Sequence, residues 1–215
     1  MHGTTTIIAG RAKSTILPIL KGRNADVSSS NNYRGIALSS INCKILDNIV
    51  LLKFSDKLQT SRLQFGYKPK SCPNLCTFVV KETIAYYVKH QTTVFVHFWV
   101  LQRPLTELIT VKLFKLLINR GLPAYVTRVL LNFYTGNFCA HITVWYLFLL
   151  FLATNGVKRG GVLSTVLFCV YIDGLLVALS RANVGCYIGR SYVGALAYAD
   201  DLVLTAPSAS ALCKM

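Results

Sequence analysis

Apolar positions along this chain fall into two rhythms, a short alternating one and a helical one, divided by Gly, Pro and Ser. Residues 7–21 hold a short apolar segment ending in Ile16-Leu17-Pro18-Ile19-Leu20-Lys21, which predicts a strand with Lys21 at its mouth. Gly22 to Asn32 is polar and Ser-rich, hence a loop. Tyr33-Arg34-Gly35-Ile36-Ala37-Leu38 predicts a second strand, so 16–38 reads as a hairpin. Ser40 is placed to cap a helix running through Leu58, with Ile41, Ile45, Ile49 and Leu52 at helical spacing. Gln64-Phe65-Gly66-Tyr67-Lys68-Pro69 reads as a turn-rich connector. Leu75 to His90 predicts a helix and Thr92 to Trp99 a strand. Thr110 to Tyr134 reads as two short helices broken by Gly121-Leu122-Pro123. Gly160 and Gly161 interrupt the chain before a buried, helical segment from Val162 to Val177. The final hairpin is expected over 192–206, with a helix starting at Ser208.

Composition narrows the class of protein. Hydrophobic residues make up 53% of the 215 and charged ones 14%, which excludes a disordered chain. Lys plus Arg number 23 against 8 Asp plus Glu, a formal net charge of +15. Such an excess on a folded chain points to a polyanion, nucleic acid first and an anionic membrane surface second. The cations are dispersed, which favours a lined groove over a basic arm. The most apolar run, Ile142 to Ala153, is shorter than the roughly 20 residues a membrane helix needs, so a core strand is expected and no membrane partner. Seven cysteines at irregular spacing suit buried, reduced thiols. Cys72 and Cys76 lack a second Cys/His pair at zinc spacing. The start of the chain has no charged flank leading into an apolar core, so an intracellular protein, cytoplasmic or nuclear and not secreted, is expected.

Candidate chemistry centres on Tyr198-Ala199-Asp200-Asp201, two adjacent carboxylates inside an apolar run. Strand-forming residues on both sides put the pair at the tip of a tight hairpin. Buried like charges are costly unless a cation neutralises them, so a divalent metal for phosphoryl transfer is one reading. The other is a solvated Asp-Asp turn between core strands.

Six segments taken together decide between these readings. They are Leu17-Pro18-Ile19-Leu20-Lys21, Asn32-Tyr33-Arg34-Gly35-Ile36-Ala37-Leu38, Gln64-Phe65-Gly66-Tyr67-Lys68, Asn155-Gly156-Val157-Lys158-Arg159-Gly160-Gly161-Val162-Leu163-Ser164, Tyr171-Ile172-Asp173 and Tyr198-Ala199-Asp200-Asp201. In this order and spacing they resemble the reverse transcriptase domain of non-LTR (LINE-type) retrotransposons over nearly the whole chain. The resemblance implies an α+β, right-hand polymerase architecture: fingers over residues 1–90, and over 91–215 a palm whose antiparallel sheet packs on helices. The thumb that follows in the family is missing. The implied activity is RNA-directed DNA polymerisation, a nucleotidyl transfer with RNA template, DNA primer and deoxynucleoside triphosphates as partners and Mg²⁺ as cofactor. Asp200 would be the main metal ligand and Asp201 the accessory one. Lys21 and Arg34 match the family residues that grip the triphosphate, a lysine and a planar guanidinium suiting phosphate oxygens. As isolated residues they read equally as solvated charges. Gly160 would let the backbone approach the template–primer. Arg159 stands where the family usually has Gln, Thr165 where Pro is usual, and Gly174 where an acidic residue is common.

The first palm strand departs most. The family reads approximately F-L-D-A-S-K-A-F-D-R-V-N-H there, and this chain reads Phe98-Trp99-Val100-Leu101-Gln102-Arg103-Pro104-Leu105-Thr106-Glu107-Leu108-Ile109-Thr110. Val100 takes the place of the metal-binding Asp, and Leu105 that of the aromatic residue that excludes a ribose 2′-hydroxyl. Glu107 lies past Pro104, too far along to substitute. The genetic code supplies a cause. With suitable synonymous codons, the frame beginning one base earlier at Val100 reads G-A-S-K-A-F-D-R-V-N-H. A Gly codon is one base change from Asp. A pair of compensating frameshifts bracketing this segment follows, and catalysis is expected to be lost. The prediction is that the nucleotide sequence across codons 95–112 encodes the family segment in that alternate frame. Codons that cannot give it in any frame would sink the inference.

Overall fold

The computed structural model describes residues 14–22, 26–29, 32–100, 110–135, 138–142, 147–152 and 160–215. In chain order the elements are β1 (Ser14–Leu20), β2 (Tyr33–Leu38), α1 (Ile41–Lys53), α2 (Pro73–Lys89), β3 (Phe95–Val100), α3 (Thr110–Asn119), α4 (Ala124–Thr135), β4 (Phe138–Ile142), β5 (Leu147–Leu152), α5 (Val162–Arg181), β6 (Tyr187–Ile188), β7 (Ser191–Tyr192), β8 (Ala195–Tyr198), β9 (Asp201–Ala206) and α6 (Ala209–Lys214). Packing divides them into two compact units that interleave in sequence, residues 1–58 with 105–165, and 59–104 with 166–215.

The first unit holds a four-stranded sheet in the order β2-β1-β4-β5. The expected hairpin forms: β1 and β2 pair antiparallel from Thr15↔Leu38 to Leu20↔Tyr33. The run expected as one core strand from 142 is divided. β5 covers Leu147–Leu152 and pairs with β4, which lies parallel to β1. Helices α3 and α4 form on either side of the Gly121-Leu122-Pro123 break, where Gly121 takes φ +82. Each has a clear inner face: Leu113, Phe114 and Leu117 on α3, and Val126, Leu130 and Tyr134 on α4, are buried.

Helix α1 forms where the spacing predicts but ends at Lys53, short of the expected Leu58. Ile41, Ile45, Ile49 and Leu52 are all exposed, and the buried face is Cys43, Asp47 and Val50. The physical reason is polar. Asp47 Oδ2 accepts from the Leu163 amide at 3.4 Å, in the first turn of α5, where unpaired N–H groups and the helix dipole favour a carboxylate. Beside it the Tyr134 hydroxyl and Ser164 Oγ are 3.2 Å apart. Burial, with the Asp47 charge second, pushes the Tyr134 phenol well above its ordinary value. Ser40 precedes the helix without capping it, because its hydroxyl bonds Cys43 Sγ instead.

The second unit is built on an antiparallel three-stranded sheet ordered β3-β9-β8. Helix α2 covers it through Cys76 and Val80, which pack with Leu196 and Val203. Ser208 caps α6 by accepting from the Ala211 amide at 3.1 Å. Most of α5 belongs here. It is long and apolar enough to pass for a membrane span by length and composition alone. Buried Leu167, Phe168, Val170 and Leu176, with a buried Asp173 among them, make it a core helix. Of the six cysteines with described side chains, Cys43, Cys76, Cys169 and Cys186 are buried and Cys72 and Cys213 exposed; all are free thiols.

The Cys169 thiol is pushed up to about 12, first by burial, then by Asp173 and Asp200. An unfolded chain would ionise this thiol near its ordinary 9.0. The unfolded state therefore loses its proton first, and the stabilisation is complete below that value and lost as pH rises toward about 12. Urea unfolding is expected to show wild type losing more stability than Cys169→Ala between about pH 8 and about pH 10.5. Equal losses would remove Cys169 from the alkaline transition.

Candidate functional site

Strands β8 and β9 are joined by the shortest possible turn. Tyr198↔Asp201 is the last pair, so Ala199 and Asp200 form the tip; the expected tight hairpin forms, but Asp201, expected at the tip, is the first residue of β9. Ala199 sits at φ +56. A two-residue hairpin turn wants positive φ at its first central position, and alanine there is strained by roughly 1–2 kcal/mol.

Gln64 holds this strained turn. Its side chain is 1% exposed, and Oε1 accepts from the Ala199 amide at 3.0 Å and the Gly66 amide at 2.8 Å. Its chain neighbours continue the contact. The Phe65 amide donates to Ala197 O at 2.7 Å, and the Ala197 amide donates to Leu63 O at 2.8 Å, a parallel bridge onto β8. Gly66 lies so close that a Cβ there would stand 2.4 Å from the Ala199 nitrogen. Segment 63–66, read from sequence as a connector, is thus a clasp on the Asp pair. A glutamine and a glycine bracketing an aromatic residue, inside a motif, was the available signal.

The carboxylates are less buried than expected: Asp200 is half-buried and Asp201 exposed. Strand β3 supplies the facing position. It pairs antiparallel with β9 from Phe95↔Ala206 to Val100↔Asp201. Directly opposed residues of such a pair share a face, with Cβ atoms about 4.5–5.5 Å apart. The side chain opposite Asp201 is therefore an isopropyl group, 61% exposed and without a donor atom. Among the described residues no group of three His, Cys, Asp or Glu side chains is arranged to hold a metal ion. Glu107 and Leu105 lie outside the described residues. Two carboxylates from one hairpin, faced by valine, do not fit a two-ion site fed from two strands.

A second acid lies near but is engaged. Asp173, 3% exposed, accepts from the Ser61 amide at 2.9 Å. Lys68 donates to Ser61 O, and burial lowers its pKa against the pull of Asp173. Tyr67 stands at φ +53, its phenol raised by burial and then by Cys169 and Asp200.

The remaining predicted residues belong to the first unit. Ile19 pairs with Arg34, and the Lys21 amide donates to Asn32 O at 2.8 Å, continuing the β1–β2 ladder. Strand alternation puts Lys21 and Arg34 on one face of the hairpin, both exposed. Gly160 has φ +103, and a Cβ there would come within 3.0 Å of Ala37 O. Its lack of a side chain serves close packing on β2, a different reason from the nucleic-acid approach expected of it. Arg159 lies outside the described residues.

Comparisons with known proteins support a reverse-transcriptase-like fold. The chain is 25% identical over 176 residues to the retrovirus-related Pol polyprotein from type-2 retrotransposable element R2DM of Drosophila melanogaster, a match that covers 81% of this chain and 16% of that polyprotein. Its fold matches telomerase from Candida albicans, solved with a TWJ fragment of telomeric RNA, at TM-score 0.63 and 9% identity, covering 98% of this chain and 39% of that one. Apo telomerase from Candida tropicalis, truncated from its C-terminal domain, matches at TM-score 0.63 and 12% identity, over 97% of this chain and 48% of that one. No family model matches. The resemblance to retrotransposon reverse transcriptases is upheld, and the chain spans under half of each of these relatives.

The clasp can be tested by mutation. Gln64→Leu strands the Gly66 and Ala199 amides, at about 1–3 kcal/mol for each orphaned group, and Gly66→Ala forces the turn to shift. Urea unfolding is expected to show both variants destabilised, with Gly66→Ala rescued by no change at Asp200. Wild-type stability in either would mean that the hairpin holds its own turn.

Proposed function

We propose that this chain is a retrotransposon reverse transcriptase domain fragment, an RNA-directed DNA polymerase by descent that has lost catalysis. The observation that carries this is the pairing of Val100 with Asp201. Residues 1–90 would derive from the fingers and 91–215 from the palm. Lys21 and Arg34, sharing one open hairpin face, would meet the triphosphate of a deoxynucleotide; Arg159 and Gly160 would lie toward template RNA and DNA primer. Asp200 and Asp201 remain as carboxylate donors for Mg²⁺, the ion that activates a primer hydroxyl and offsets phosphate charge in this chemistry. Loss of one preorganised electrostatic group alone costs roughly 10²–10³-fold in rate.

A non-enzymatic nucleic-acid binder is the second reading. The charge excess favours it, since 23 cations face 8 acids. Both readings agree on an intracellular site of action beside nucleic acid and differ on what happens there.

Restoring the acid separates them. Val100→Asp sets a carboxylate directly against Asp201, a like-charge pair that destabilises the sheet until a cation binds. The variant is expected to melt below wild type in EDTA and to regain stability with Mn²⁺, while wild type responds little. The Mn²⁺ response should vanish in Val100→Asp combined with Asp201→Asn. Wild type is expected to extend no primer with Mg²⁺ or Mn²⁺. Templated synthesis by wild type that depends on Asp200 would refute the proposal.

A further inference from the structure

From Leu108 to Ile172 the chain contains no acidic residue and six cations, Lys112, Lys115, Arg120, Arg128, Lys158 and Arg159. Within this stretch α3 and α4 pack on each other across the short connection 120–123. Both bury their apolar faces, so what they leave exposed is fixed by helical spacing. Helix α3 presents Lys112, Lys115 and Asn119, at intervals of three and four residues. Helix α4 presents Tyr125, Arg128 and Asn132 at the same intervals. Tyr125 is 69% exposed, unusual for so large an aromatic side chain; Val111 and Ile118 are also exposed on α3. Lys112, Lys115 and Arg128 make no ion pair among the described residues.

Cations, amides and one outward aromatic ring, with no acid among them, are the ingredients of a single-stranded nucleic-acid surface. We infer that the outer face of the α3–α4 hairpin binds single-stranded nucleic acid, with Lys112, Lys115 and Arg128 on backbone phosphates and Tyr125 stacked on an unpaired base. It lies on the compact unit that does not contain the Asp pair. The inference rests on the nucleic-acid reading of the chain but not on any polymerase activity. A cation here contacts phosphate, so sequence preference is weak and salt dependence strong. Charge complementarity selects a polyanion, and an unpaired base adds a stacking partner for the ring.

The test measures binding of the full chain to a single-stranded RNA, a single-stranded DNA and a duplex DNA of equal length, across salt concentrations. Lys112→Ala, Lys115→Ala and Arg128→Ala combined should weaken binding and lower the slope of log K against log salt by about 2, three contacts at about 0.7 each. Tyr125→Ala should weaken single-strand binding at least about fivefold and leave duplex binding nearly unchanged. Arg62→Ala, Lys81→Ala and Lys89→Ala combined, at exposed positions elsewhere, is the charge-matched control. Preference between RNA and DNA single strands identifies the source of the phosphate backbone. A triple variant that binds like the control, or phosphatidylserine vesicles bound in preference to nucleic acid, overturns the inference. Should the triple variant fail to fold, photo-cross-linking of thiouridine RNA to wild type decides: adducts on the α3–α4 peptides support the face, and adducts only elsewhere overturn it. Asp200→Asn with Asp201→Asn should leave this binding intact, so failure here and failure of the metal-site prediction are read separately.

Discussion

The hairpin that carries the Asp pair depends on one amide oxygen. Gln64 Oε1 receives two backbone N–H groups, one from its own turn at Gly66 and one from the strained Ala199. A buried acceptor shared by two donors fixes both in space, and the absence of a side chain at Gly66 allows the two backbones to meet. Without that clasp, alanine at positive φ has no reason to remain there. The cost of the arrangement is visible as well: Gln64 Nε2 is buried with no hydrogen-bond partner. A polar group left unpaired in a core is destabilising, so its retention marks how much the two accepted bonds contribute.

Around this fixed point the sheet sets what faces the Asp pair. Strand β3 pairs with β9 and brings its last residue opposite Asp201. The side chain at that position is Val100. Valine suits a strand as well as any residue does, so the backbone pairing tolerates it. An oxygen donor and an isopropyl group are interchangeable for the sheet and opposite for a cation.

The surface follows the same division. With so few acids, most cations go unpaired within the chain, and self-repulsion is a standing cost of the fold. A polyanion relieves it. The exposed apolar stripe of α1 is a separate matter; nothing in the structure shows what covers it.

Periodicity in the sequence determined the helices and strands almost throughout, because alternation and turn residues are local properties. It located both helices around Gly121, the β1–β2 hairpin and the tight hairpin that carries Asp200. It singled out Val100 too, on residue type alone. Tertiary structure decided the rest. Which face of α1 is inside depended on Asp47 finding the amide end of α5, more than a hundred residues away. The role of Gln64 depended on a backbone amide 135 residues further on. Which residue faces Asp201 is a matter of strand register, and register is set only when separate strands meet.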